Sequence, residues 1–211
     1  MLASLLTLNS IRSAFAGATS PPSEDGAVPR AAVALVLHAA AGGALELLFI
    51  ERAQRSGDPW SGHMAFPGGG ILPADVDARR AAERETWEEV GVELTAANFV
   101  GNLGSLRGRP RGILVSGFVY AFAEAPPLAC SAEVQSAFWF SVAELWSPVR
   151  RVENMFPGWS DGVYPGIRVG VAQHQVVWGL TYRFLESFSG ILGRSLSTGM
   201  KPVHLLTGNG G

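Results

Sequence analysis

Apolar positions along the chain follow two spacings, one suited to strands and one to helices, and the changes between them place the elements. Residues 31–38 form an apolar β-compatible run, the Ala/Gly-rich residues 39–44 make a turn, and 45–50 form a second run, so a hairpin is predicted. The stretch RAQRSGDPWSGHMAFPGGG then reads as a long loop, because its Gly and Pro content argues against regular structure over most of its length. From Asp75 to Val90 the spacing turns helical: Asp75 or Asp77 can cap the start, Ala78 to Ala82 favour helix, and Gly91 can stop it. Strands are predicted at 99–106, 114–122 and 137–140, with a short helix at 142–146. Residues 174–188 place Val177, Leu180, Phe184 and Phe188 near one face of an amphipathic helix. Strands mixed with helices and no internal repeat indicate an α+β or layered α/β domain.

The first residues, MLASLLTLNSIRSAFAGATS, are apolar with one Arg and no acid. No basic residue precedes the apolar run, and Asn9, Ser10 and Arg12 interrupt it, which disfavours a secretory signal. Leu5, Leu8, Ile11 and Phe15 share a helical face, so a helix packed on the domain is expected, with an organellar presequence or cleaved signal as the alternative. Residues 18–30 are rich in Pro, Ser and acid and read as a linker. The expected organisation is an N-terminal helix and linker over 1–30, one domain over 31–190 and a frayed tail over 191–211. No apolar run reaches the roughly 20 residues of a membrane span.

Composition narrows the partners. Of 211 residues 47% are hydrophobic, enough for a sizeable core, and the net charge of −2 supplies no overall positive field for nucleic acid or anionic membrane. The single cysteine, Cys130, excludes an internal disulfide, and no Cys/His cluster has structural-zinc spacing, so a reducing cytoplasm is expected. Homodimerisation stays open.

Against 16% charged residues overall, the segment RETWEE concentrates its acids. Positions i, i+3 and i+4 are helix neighbours, so Glu85, Glu88 and Glu89 are expected on one face. Their mutual repulsion turns favourable if a hard divalent cation sits among them, and magnesium, which takes carboxylates plus substrate phosphates, is the natural candidate. Arg84 is placed to pair with one of them. Read by itself, the run fits a solvated helix face better. The context changes this: Phe66-Pro67-Gly68-Gly69-Gly70 immediately upstream is a turn whose backbone can approach a ligand closely.

A glycine turn, a connector and a helix carrying Arg-Glu-x-x-Glu-Glu-x-Gly together resemble the signature of the Nudix hydrolases. Gly70, Arg84, Glu85, Glu88, Glu89, Gly91 and Val92 fall on that pattern, with Thr86 at a usually apolar position. Its first Glu should stand at residue 76, which is Val76, between Asp75 and Asp77; either aspartate could occupy that region. The resemblance implies a Nudix fold: a mixed β-sheet sandwiched between helices, with the signature as a loop-helix-loop motif. It also implies that Glu85, Glu88 and Glu89 bind Mg²⁺ or Mn²⁺, that one of them assists deprotonation of water, and that Glu133 in a later loop supplies a further ligand. A diphosphate linkage repels hydroxide, so basic residues near the glycine loop are expected to grip its oxygens: Arg52 and Arg55, with Arg107, Arg109 and Arg111 in another loop. His63 beside the loop either contacts phosphate or braces the loop by hydrogen bonding, and Gly69 and Gly70 are expected to approach substrate. Trp60 and Trp159 are candidates for covering an aromatic or pantetheine group.

The segments SGHMAFPGG and VVWGLTYRFLESF resemble the coenzyme A pyrophosphatase-like subgroup, whose pattern expects Arg where this chain has Asp58. Nucleoside triphosphates, NADH, ADP-ribose and dinucleoside polyphosphates remain open as substrates. A nucleotide-sensing domain that does not cut is the competing class, and its argument is Val76; a purely structural acidic helix leaves the glycine turn unexplained.

Overall fold

A computed structural model describes residues 6–18, 28–58, 60–108, 112–154 and 163–196. In chain order the elements are α1 (Leu8–Gly17), β1 (Ala31–Ala39), β2 (Leu45–Arg52), β3 (Met64–Ala65), β4 (Gly68–Gly70), α2 (Ala78–Val90), β5 (Phe99–Arg107), β6 (Leu114–Phe122), β7 (Val134–Ser141), β8 (Arg151–Asn154), β9 (Tyr164–Arg168), β10 (Val176–Trp178) and α3 (Gly179–Ile191). The predicted hairpin is present, with Leu37 opposite Leu47 in β1 and β2. β1 also runs parallel to β6, with Val36 opposite Tyr120, which makes the main sheet mixed. The order of that sheet is β3-β2-β1-β6-β5, with β4 paired to β1 and β7 paired to β2.

Both faces of the sheet are covered, which is why its central strands read as continuous apolar runs rather than alternating ones. Leu35 and Leu37 of β1, Leu47 and Phe49 of β2 and Val119 of β6 point to one side, where they meet Ile11 and Phe15 of α1 and Phe184, Leu185 and Phe188 of α3. Their neighbours Ala34, Val36, Leu48, Ile50, Phe118 and Tyr120 point to the other side and bury Ala81, Ala82 and Val90 of α2. This period of two is the strand geometry itself. The small residues of β1 on the α2 side, Ala32 and Ala34, let the helix lie close to the sheet. The expected sandwich of a mixed sheet between helices is thus the observed architecture.

Three expectations need correction. The loop after Arg52 contains the short strands β3 and β4, because a Gly-rich segment can still pair when a neighbouring strand offers its edge. The C-terminal helix begins at Gly179 rather than His174, since Val176–Trp178 pairs with β9 to extend a second, three-stranded sheet, β10-β9-β8. The strand expected at 137–140 runs over Val134–Ser141 along β2. The N-terminal helix is present with Ile11 and Phe15 buried, while Leu5 and most of the linker lie outside the described residues. The predicted short helix at 142–146 is a 3-10 turn. Among the described residues no helix is long and apolar enough to cross a membrane, and Cys130 is free and exposed.

Candidate active site

α2 owes its limits to its ends: the Asp77 carboxylate accepts from the Arg80 amide at 2.8 Å, and Gly91 closes it in the left-handed conformation at φ 69°. The glycine turn is held on the edge of β1, with Val33 opposite Gly68 and Ala31 opposite Gly70. Each glycine of the turn then meets one charged side chain of the helix. The Gly68 amide donates to Glu89 Oε2 at 2.9 Å. The Glu85 carboxylate fills the space beside Gly69, where a Cβ would come within 2.6 Å of both of its oxygens. The Gly70 carbonyl accepts from Arg84 Nη2 at 2.9 Å.

Arg84 ties this assembly together. Its Nε and Nη2 donate to the two oxygens of Asp75 at 3.1 and 3.0 Å, and its Nη1 donates to both Glu85 and Glu88 at 2.9 Å. The hydrogen bonds from Arg84 hold the Asp75 carboxyl below the usual carboxylate range, and the Leu72 amide adds to this. Spacing alone left Asp75 and Asp77 equivalent, and the geometry separates them: Asp75 orients the arginine between two signature glutamates, while Asp77 caps the helix. Val76 between them is 89% exposed. Asp75→Asn is therefore expected to slow turnover by about tenfold, as loss of a supporting hydrogen bond at a metal site does. Asp77→Asn, which keeps a capping side chain, should leave turnover unchanged. Steady-state rates on the two variants check this, and equal rates would remove Asp75 from the site.

The carboxylates differ in environment. Glu89 is 3% exposed, and burial pushes its pKa up to about 7, against the Gly68 hydrogen bond and the charge of Arg52, with Glu85 and Glu133 raising it further. Glu85 is also raised by burial; Arg84 opposes this and the charges of Glu88 and Glu133 reinforce it. Glu88 faces solvent, and the exposed Glu133 pairs with Arg55 Nη2 at 3.0 Å. The expectation that Glu85, Glu88 and Glu89 project side by side is corrected in part, because successive helix residues are about 100° apart and Glu88 and Glu89 diverge accordingly. Among the described residues no three acidic, His or Cys side chains are gathered closely enough to enclose an ion as they stand. The reason is visible in their partners: Arg84 engages Glu85 and Glu88, Arg55 engages Glu133, and the Gly68 amide engages Glu89.

The set nonetheless fits a hard divalent cation. It consists of carboxylate oxygens; the charge of Glu133 raises the pKa of both Glu85 and Glu89, and among the described residues the Gly68 amide is the hydrogen-bond donor to the buried Glu89. Thr86, at the usually apolar signature position, is fully buried with its hydroxyl donating to the Ala82 carbonyl at 2.7 Å, so it packs as an apolar residue would.

Of the expected phosphate-binding residues, Arg52 lies close to Glu89 and donates from Nη2 to Asp58 at 2.8 Å. Its Nε is buried, with no hydrogen-bond partner among the described residues. Asp58, noted in the sequence only as a departure from a pattern, also accepts from the Trp60 amide at 2.9 Å. The Asp-Pro-Trp order was the available signal, since an Asp that bonds the amide two residues on makes a turn. His63 is half-buried, edge-on to Trp178 at 5.2 Å, with burial lowering its pKa, and its carbonyl accepts from the Arg52 amide. Arg107 donates to the Gly112 carbonyl and His174 bonds Glu51, while Arg109, Arg111 and Trp159 lie outside the described residues.

The chain is 41% identical over 110 residues to an uncharacterized protein of Schizosaccharomyces pombe, a match covering 48% of this chain and 33% of that protein, so it spans about a third of the relative's length. Among solved structures it is similar to a MutT/nudix family protein from Enterococcus faecalis, at 20% identity, TM-score 0.48, 79% of this chain and 61% of that one. It is also similar to the NUDIX domain of Shewanella oneidensis NrtR complexed with ADP ribose, at 18% identity, TM-score 0.47, 56% of this chain and 76% of that one. The model of the NUDIX domain matches residues 28–159, more than half of the chain and the whole of the glycine turn and α2, and the chain therefore belongs to the Nudix domain family.

Proposed function

We propose that this protein is a metal-dependent pyrophosphohydrolase that cleaves the diphosphate linkage of a nucleoside-diphosphate derivative. The observation that carries this reading is the buried Glu89 beside Glu85 on the glycine turn, two carboxylates whose environment opposes their own charge. Glu85, Glu88 and Glu89, with Glu133, would hold Mg²⁺ or Mn²⁺. Such a cation, when bound, neutralises phosphoryl oxygens and acidifies water.

The chain's own residues supply the rest. Arg84, fixed by both oxygens of Asp75, sets the directions of Glu85 and Glu88. Gly69 gives its space to the Glu85 carboxylate, and the open space at Gly70 leaves room for a diphosphate beside it. Arg52 and Arg55 lie at the same end of the sheet and present guanidinium groups suited to phosphate oxygens. The His63 carbonyl accepts from the Arg52 amide and so ties down the main chain at the end of β2 from which Arg52 extends.

Coenzyme A is the first substrate to test, on the strength of the SGHMAFPGG and VVWGLTYRFLESF segments, and a cytoplasmic setting agrees with the single free cysteine. A panel of coenzyme A, NADH, ADP-ribose, dinucleoside polyphosphates and nucleoside triphosphates, each with Mg²⁺, Mn²⁺ or EDTA, tests the reading. Cleavage at a diphosphate that EDTA abolishes is the expected result. Tight nucleotide binding with no turnover on any compound would overturn it in favour of a sensing domain.

A further inference from the structure

The flank of α2 away from the glycine turn holds a buried cluster that the proposed chemistry leaves unused. Tyr120 of β6 has no exposed surface, and its hydroxyl donates to Glu83 Oε1 at 3.0 Å. Glu83 is itself 7% exposed, and its other oxygen accepts from Arg80 Nη1 at 2.6 Å. Arg79 stands 3.6 Å from the first oxygen, with its guanidinium over the Phe99 ring at 5.1 Å. Phe99 in turn packs edge-on against Tyr120, its partner across β5 and β6. Burial and the facing carboxylate push the Tyr120 hydroxyl well above its ordinary range, so it remains a donor at any working pH.

Helical geometry gives the cluster its meaning. Glu83 and Glu89 are six residues apart, so they lie about 120° apart around the axis, one on each side of the apolar face formed by Ala82, Thr86 and Val90. One flank is fixed to the glycine turn through the Gly68 amide and Glu89, and the other is fixed to β6 through Tyr120 and Glu83. Ala81 and Ala82 are fully buried against the sheet and offer it only a methyl group each. The first of these ties involves a carboxylate that a cation would share. The second is independent of whatever occupies the site.

We infer that the Tyr120–Glu83 hydrogen bond is a rotation stop for α2, setting the angle at which Glu85 and Glu89 meet the glycine turn. Tyr120 and Glu83 are thus positioning residues, acting through the helix rather than on substrate. The inference rests on the proposed metal-dependent reading for its consequence, but its geometric part does not.

Tyr120→Phe keeps the ring and removes the hydroxyl. Hydrogen exchange of the metal-free variant should show the Gly68 amide opening about tenfold faster, with β1 and β6 amides protected as before. Mn²⁺ affinity, read by titration calorimetry, should weaken by about tenfold or more, the range found when groups that orient metal ligands are removed. Val119→Ala, on the same strand but the opposite face, supplies a comparison of similar lost stability and should change neither reading. Glu83→Gln retains an acceptor for Tyr120 and should bind Mn²⁺ within about threefold of the parent, whereas Glu83→Leu should behave as Tyr120→Phe. Unchanged Gly68 exchange with unchanged Mn²⁺ affinity in Tyr120→Phe would overturn the rotation stop. Faster exchange at Gly68 in a protein whose parent binds no Mn²⁺ would uphold the stop and overturn the proposed metal-dependent function instead.

Discussion

Glu89→Gln is expected to make the metal-free protein more stable at pH 8 while lowering turnover by roughly a thousandfold, the few kcal/mol of transition-state stabilisation that a metal site contributes. The stability half follows from linkage. Glu89 carries a folded-state pKa of about 7 against an ordinary value of 4.5, so between these values the folded protein holds a proton that the unfolded chain has released. Stability then falls as pH rises through that window, and above it the whole penalty is present, up to about 3 kcal/mol. Below pH 4.5 both states are protonated and the penalty vanishes. Glutamine keeps an oxygen for the Gly68 amide and has no charge to bury. Thermal melts in EDTA should therefore show the variant ahead of the parent at pH 8 and level with it near pH 4. Adding Mn²⁺ should reverse the order at pH 8, because a cation compensates the parent's buried charge and finds one ligand fewer in the variant. A variant less stable than the parent at pH 8 in EDTA would show that the carboxylate is not strained by its burial.

A trade of this kind, stability given up to keep a charge ready for a ligand, is what a functional cluster looks like against a structural one. The contrast lies within one helix. Glu83 is almost as buried as Glu89, but it is surrounded by Tyr120, Arg79 and Arg80. Glu89 accepts from the Gly68 amide, and its neighbours Glu85 and Glu133 oppose its charge. Two buried glutamates six residues apart thus serve opposite ends, one bound within the fold and one held for something outside it.

The sequence made the signature legible because its information is local. Helix spacing brings Arg84, Glu85, Glu88 and Glu89 into range of one another, and the adjacent Gly68, Gly69 and Gly70 mark where backbone must come close. The β1–β2 hairpin and the strands β5 and β6 followed from apolar runs for the same reason. What escaped was set by contacts distant in sequence. Tyr120 and Glu83 are 37 residues apart, and neither apolar pattern nor spacing links them. β9 and β10 are short, one contains Pro165 and Gly166, and both exist because each pairs with a neighbour in the second sheet. The choice between Asp75 and Asp77 was undecidable by spacing, since one residue of connector shifts either toward Arg84; only the folded turn aims Asp75 at both guanidinium nitrogens. Similarly, Arg55 and Glu133 were each expected at the site for separate reasons, and the fold pairs them with each other.

The three consecutive glycines of the turn should give three different results when each is changed to alanine, and this is the sharpest test of how backbone and carboxylates share the site. At Gly68, φ is 151°, and a Cβ would strike the Ala32 carbonyl oxygen and come within 2.6 Å of the Val33 Cα, both in the main chain of β1. Neither can yield, so Gly68→Ala should cost more than about 2 kcal/mol of stability and unpair the turn. At Gly69 the obstacle is instead the Glu85 carboxylate, 2.6 Å from the new atom and at the end of a flexible side chain. The fold can be kept by swinging that carboxylate aside, so Gly69→Ala should stay within about 1 kcal/mol of the parent in stability. Its Mn²⁺ affinity and turnover should nevertheless fall by about a hundredfold, because the displaced group is a proposed ligand and not a bystander. At Gly70 a Cβ meets nothing within 4 Å, and the substituted protein should match the parent in stability and in Mn²⁺ affinity. Urea midpoints and Mn²⁺ titrations on the three variants separate these outcomes. If Gly69→Ala binds Mn²⁺ and turns over as the parent does, the Glu85 carboxylate has no part in the chemistry, and the meeting of glycine turn and acidic helix is packing alone.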